Sequence, residues 1–167
     1  MAQVHPSAVL DKGVQLADDV VVGPGCALRG DVTVAAGCEL VGMVWIEGRV
    51  TIGPGNRFFP NVVIGAPAQD FRCDPSEPTE MVIGANNIFR EHVTVHRGTR
   101  AGGGVTRIGD GCMFMVASHV GHDSTLQDKI VLINNVTVGG HCRVETGAWL
   151  SGHSAMVRPC LSRSISA

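Results

Sequence analysis

Large apolar residues recur at every sixth place along most of this chain. From Val4 the series runs through Leu10, Leu16, Val22, Leu28, Val34, Leu40, Ile46, Ile52, Phe58 and Ile64 without a polar residue. It breaks, resumes at Ile83, Phe89 and Val95, and breaks again. It then runs from Ile108 through Phe114, Val120, Leu126, Leu132, Val138, Val144 and Leu150 to Met156. A beat of six fits neither the 3.6-residue period of an α-helix nor the two-residue alternation of a simple strand. It predicts short parallel strands on a three-sided prism, one hexad per face and three per coil.

Four places after each beat there is usually a small or β-branched residue, among them Val20, Cys26, Val32, Cys38, Cys112, Ser118, Ser124, Val136, Cys142 and Cys160. These read as a second, narrower inward position. Five of the six cysteines fall there, and no two cysteines are spaced C-x-x-C. They are expected to be core fillers rather than metal ligands or nucleophiles. Cys73 alone lies elsewhere. The hexad pattern belongs to the all-β, left-handed parallel β-helix, a known exception to the right-handed crossover rule. The two breaks predict loop insertions at about 65–82 and 96–107 in one domain spanning 1–160. Residues 161–167 are expected to form a disordered tail. Loops leaving a rigid prism are where binding groups concentrate.

Composition narrows the function. The net charge is −2 with 17% charged residues, which gives no basis for a nucleic-acid-binding surface. Eleven arginines accompany only Lys12 and Lys129, and a guanidinium is the better fork for carboxylate or phosphate. No run of about 18 apolar residues suggests a membrane span. The first residues, MAQVHPSAVLDKG, do not resemble a signal peptide, so the expected compartment is the cytoplasm.

Candidate chemistry sits in S-H-V-G-H-D, Ser118 to Asp123. With three hexads per coil, Asp123 stacks with His141, Asn135 with His153, and His122 with Gly140. His122 and Asp123 can pair only where the chain bends, so both are expected at a corner. The columns of Asp123 and Asn135 are offset by two hexads and lie on different faces. One cleft could hold both only if a second chain brought its face alongside, which points to a cyclic oligomer, a trimer on a three-sided prism. On the residues alone three readings stand. His122 is a general base oriented by Asp123. Alternatively, His119, His122 and His141 bind zinc, by themselves or by recruiting His96 from a neighbour. Or the column is a polar ladder without chemistry.

The ordered segments I-G-A-P-A-Q-D-F-R, E-P-T-E, R-E-H-V-T-V-H-R-G-T, G-G-G-V-T-R-I-G, H-V-G-H-D and N-N-V-T-V-G-G-H resemble the UDP-N-acetylglucosamine O-acyltransferases that begin lipid A synthesis. The likeness runs from about Val4 to Gly152. It implies a homotrimer with active sites between subunits. It implies transfer of a 3-hydroxyacyl group from acyl carrier protein to the 3-hydroxyl of a UDP-sugar, with no cofactor, metal or covalent intermediate. It assigns His122 as base, Asp123 as its orienter and the Gly140 N–H to the oxyanion. Gln69, Asp70, Arg72, His96, His119, Asn135 and His141 become substrate-binding positions. Arg72, Arg90, Arg97, Arg100, Arg107, Arg143 and Arg158 are candidates for a patch facing the acidic carrier protein.

There are departures from the family pattern. Arg72 stands for a usual Lys, Cys73 for a Tyr, and Val157 and Arg158 for a His and a Gln. The family continues into a helical C-terminal part that this chain is expected to lack, as a short homologue or as a fragment. Two other enzyme resemblances are weaker: γ-type carbonic anhydrases, through L-R-G-D at Leu28 to Asp31, and acetyltransferases that use coenzyme A. A catalytically degenerate scaffold is the non-enzymatic alternative.

Overall fold

The computed structural model describes residues 1–157 and the backbone of 161–162. Short parallel strands stack into a prism, as the six-residue beat requires. Partners in neighbouring coils are three hexads apart, as in Val21 with Glu39. The interval widens across the first break, where Arg49 pairs with Glu80, and across the second, where Glu80 pairs with Val105. The strands flanking the breaks are Val63–Ala66 and Glu80–Ile83, then Thr94–His96 and Val105–Ile108. Leu161–Ser162 add a further rung on Arg143–Val144.

One face is an eight-stranded sheet among the described residues. The other two faces merge, because Ala27–Val34 and Trp45–Ile52 run unbroken around a shared corner. Gly30 and Gly48 pair at that corner with φ of 85° and 94°. A side chain on Gly30 would also stand 2.8 Å from the Gly48 carbonyl oxygen, so only glycine fits.

From Val22 to Met156 every residue of the apolar series is at most 9% exposed. Burying each such side chain stabilises the fold by about 1.5–3 kcal/mol. Phe58, Phe89 and Phe114 stack face to face, with centroids 4.8 and 4.6 Å apart. These rungs straddle both insertions. The narrow inward position on the same rungs carries two buried amides. Asn56 Nδ2 donates to the carbonyls of Gly53 and Gly84, and its Oδ1 accepts from Asn87 N–H at 2.9 Å. Asn87 repeats the pattern with Gly109 O and Cys112 N–H. Both amides thereby find donors and acceptors inside the prism, as buried polar groups must.

Cys26, Cys38, Cys112 and Cys142 are buried, as the narrow position predicts, and Cys160 lies outside the described residues. Burial pushes the Cys26, Cys38 and Cys112 thiols up, away from the reactive thiolate. Cys73 is half-buried in the first loop. Maleimide added to native protein is therefore expected to mark Cys73 well before these three, read by peptide mass spectrometry. Equal labelling at Cys38 would contradict the packing.

Candidate active site

The corners of the prism recur every six residues in left-handed backbone conformation. Ala117, Asp123, Lys129, Asn135, His141 and His153 all have φ between 56° and 60°. Asn, Asp and His tolerate this region better than most residues. That preference explains the polar columns read in the sequence. It also places Asp123 and His141 on one corner, one above the other.

At that corner His122 Nδ1 lies 2.7 Å from Asp123 Oδ2. The Asp123 side chain is fully buried and receives two further bonds, from Thr99 N–H to Oδ1 (2.8 Å) and from the Thr99 hydroxyl to Oδ2 (2.6 Å). Its own N–H donates to Thr106 Oγ1 at 2.8 Å. Both carboxylate oxygens already accept from Thr99, so Asp123 suits the role of acceptor toward a proton on His122 Nδ1, the tautomer that keeps Nε2 free. The imidazole lies over Gly140: a Cβ there would stand 2.7 Å from Nε2 and 2.8 Å from Cε1. The N–H groups of Gly139 and His141 bond to Met156 O and His122 O. The Gly140 N–H has no partner among the described residues. It is therefore available to an incoming negative oxygen.

A cleft of about 260 Å³ opens beside the pair, with Asp70, Arg72, Cys73 and Glu77 of the first loop facing His122 and His141. His141 packs edge-on to His122, centroids 4.9 Å apart. Arg72 forks onto Asp70 at 3.0 and 2.7 Å and holds that carboxyl well below the usual carboxylate range. Ligand atoms of His122, Asp123 and His141 fall within 4.8 Å of one another and could surround a cation. Asp123 is already filled by Thr99 and His122, an arrangement that suits a base–orienter pair better than a metal centre.

The other sequence candidates separate into groups. His119 and His96 meet edge-on at 4.8 Å, and His119 Nδ1 lies 2.7 Å from Thr94 Oγ1. Burial holds both imidazoles neutral by lowering their pKa, His96 to about 4, and neighbouring His119 and His122 add to the effect at His96. Gln69 is exposed, with its backbone next to Asp70. Asn135 sits at a different corner, 3.5 Å from His153 Nε2, and takes no part in this cleft. Arg97 is not on a surface patch. Its buried guanidinium donates to the carbonyls of Gly65 (2.9 Å) and Pro75 (2.6 Å). Arg90 is paired with Glu91, and Arg158 lies outside the described residues. In the L-R-G-D segment, Arg29 and the Gly30 N–H both bind Asp11. Thr99 and Thr106 were not picked out by the sequence, although the HRGT and GGGVTRIG segments contained them.

The His96 environment has a measurable consequence. An unfolded chain takes a proton there below about 6.5, the folded chain only below about 4. The associated stability is complete above 6.5 and is lost as the pH falls through 4, amounting to up to about 3 kcal/mol. His96→Gln is expected to flatten the acid side of the stability curve measured by urea unfolding. An unchanged slope between pH 6.5 and 4 would remove His96 as its source.

The parallel strands curl into a prism, and its solved relatives are left-handed β-helices. No family model matches the chain. It is 49% identical over 157 residues to an acyl-[acyl-carrier-protein]–UDP-N-acetylglucosamine O-acyltransferase of Anaeromyxobacter sp., covering 94% of this chain and 61% of that protein. It is 41% identical over 138 residues to the protein of that name in Syntrophobacter fumaroxidans, covering 83% and 53%. The crystal structure of UDP-N-acetylglucosamine O-acyltransferase from Moraxella catarrhalis superposes with a TM-score of 0.93 at 35% identity, covering 95% of this chain and 61% of that one. Over nearly its whole length the chain is similar to the UDP-N-acetylglucosamine O-acyltransferases. It spans about three-fifths of the length of the first of these relatives.

Proposed function

We propose that this chain transfers a 3-hydroxyacyl group from acyl carrier protein to the 3-hydroxyl of UDP-N-acetylglucosamine in the cytoplasm, the first step of lipid A synthesis. The observation that carries the reading is the buried, fully engaged Asp123 carboxylate holding His122 over Gly140 at the floor of a cleft. His122 Nε2 takes the proton from the sugar hydroxyl as that oxygen attacks the thioester carbonyl. The oxygen of the tetrahedral intermediate gathers negative charge near the Gly140 N–H. Collapse breaks the carbon–sulfur bond, and His122 returns the proton to the departing thiolate. The ester forms, the carrier thiol is released, and His122 ends neutral.

Asp70, Arg72 and His141 line the same cleft and are the groups positioned to hold the acceptor. The Asn135–His153 pair occupies another corner. A trimer that set this corner of one subunit beside the Asp123 corner of the next would complete the site, and we place the catalytic clefts between subunits on that basis. Among the described residues no helix is long and apolar enough to cross a membrane.

The test is an acyl-transfer assay on purified chain with UDP-N-acetylglucosamine and 3-hydroxyacyl carrier proteins of several lengths, with matching coenzyme A thioesters as a second donor series. Light scattering on the same sample reports the assembly. Product from a trimer supports the reading. A folded trimer that makes no product with any donor would sink it, and an active monomer would refute the shared cleft.

A further inference from the structure

The carboxylate that orients His122 is itself held by a loop, through the backbone N–H and the hydroxyl of one residue. We infer that Thr99 is a positioning residue of the His122–Asp123 pair, fixing both the direction of the Asp123 carboxylate and the tautomer of His122. This rests on the catalytic reading of that pair.

Thr99 lies where the second insertion leaves the prism. Its Oγ1 accepts from Gly102 N–H at 3.1 Å, closing the short helical turn Arg100–Gly102. An oxygen already accepting there turns its own hydrogen elsewhere, and the acceptor at 2.6 Å is Asp123 Oδ2. The same oxygen accepts from His122 Nδ1. The Thr99 N–H takes Oδ1 at 2.8 Å. One residue therefore engages both carboxylate oxygens and leaves His122 a single lone-pair direction on Oδ2.

The loop root is anchored in turn. Two residues earlier the Arg97 N–H bonds to Ala66 O at 3.1 Å, and its guanidinium reaches Pro75 O of the first loop. Gly102 packs so closely on Asp123 that a methyl group there would overlap the carboxylate. Rotating the carboxylate would require this whole turn to move.

The role predicts a particular pattern. Thr99→Val keeps the shape and the backbone N–H but deletes the hydroxyl. Its kcat is expected to fall at least about tenfold, the scale of a modest misplacement of a reacting group, with KM within about twofold. Thr99→Ser, which restores the hydroxyl, is expected to recover most of the turnover. Nitrogen NMR of the histidine rings gives a reading independent of activity: His122 stays in the Nδ1–H tautomer in wild type and Thr99→Ser, and becomes a mixture in Thr99→Val. Should wild-type protein show no acyl transfer, the proposed reaction fails while the tautomer measurement still decides the role of Thr99. An unchanged His122 tautomer in folded Thr99→Val overturns the inference. So does a Thr99→Ser variant as slow as Thr99→Val.

Discussion

His122→Ala is expected to lower acyl transfer by about 10²–10⁴-fold, the usual contribution of a positioned general base. The substitution removes the imidazole that the buried Asp123 carboxylate holds at 2.7 Å in the cleft. His141 does not replace it, because its Nε2 is 3.9 Å from Asp123 and its ring stands edge-on to that of His122. The fold should survive, since the His122 side chain lies in the cleft, outside the apolar series that fills the prism. Turnover at saturating substrate, measured beside a melting curve, checks both halves. A well-folded variant that keeps more than about a tenth of the rate would refute His122 as the base.

Gly140→Ala is expected to lower turnover by at least about 100-fold, although it changes no functional group. A Cβ at that position would stand 2.7 Å from His122 Nε2 and 2.8 Å from Cε1. Ring atoms do not approach a methyl group so closely, so the imidazole must swing away from Asp123. A displacement of about 1 Å suffices for a loss of this size. Alanine retains the backbone N–H, so the oxyanion contact is not what the substitution removes. Full activity in Gly140→Ala would mean that His122 adopts another position in the working enzyme. A loss accompanied by an intact His122–Asp123 pair in a crystal structure of the variant would mean that the methyl group acts by crowding the substrate instead.

The architecture was legible because the inward residues answer to one strict geometric demand. Phe58, Phe89 and Phe114 each fall on the beat, and each is completely buried on consecutive rungs. The His122–Gly140 contact followed from the same coil length. What the beat could not reveal was anything decided by a loop returning to the prism. The offset from Thr99 to Asp123 belongs to the regular spacing of no coil, and only the path of the second insertion joins them. Arg97 looked like a surface charge because its acceptors are backbone carbonyls, which leave no trace in side-chain identity. The corners were legible as polar columns, but not which of them carries chemistry. Asn135 and Asp123 share a backbone conformation, yet only Asp123 meets a loop that turns its side chain to chemical use.

The stacked phenylalanines bear on how such a protein can change over generations. Phe58 rests on Phe89 and Phe89 on Phe114 at ordinary rung spacing, although an insertion separates each pair in sequence. The prism closes as tightly beneath each excursion as it would without one. Lengthening either excursion then adds only the entropy of a longer loop, about 0.6 kcal/mol for each doubling, and disturbs no core contact. New acceptors or donors can be explored by editing those two segments while the rungs beneath them stay as they are.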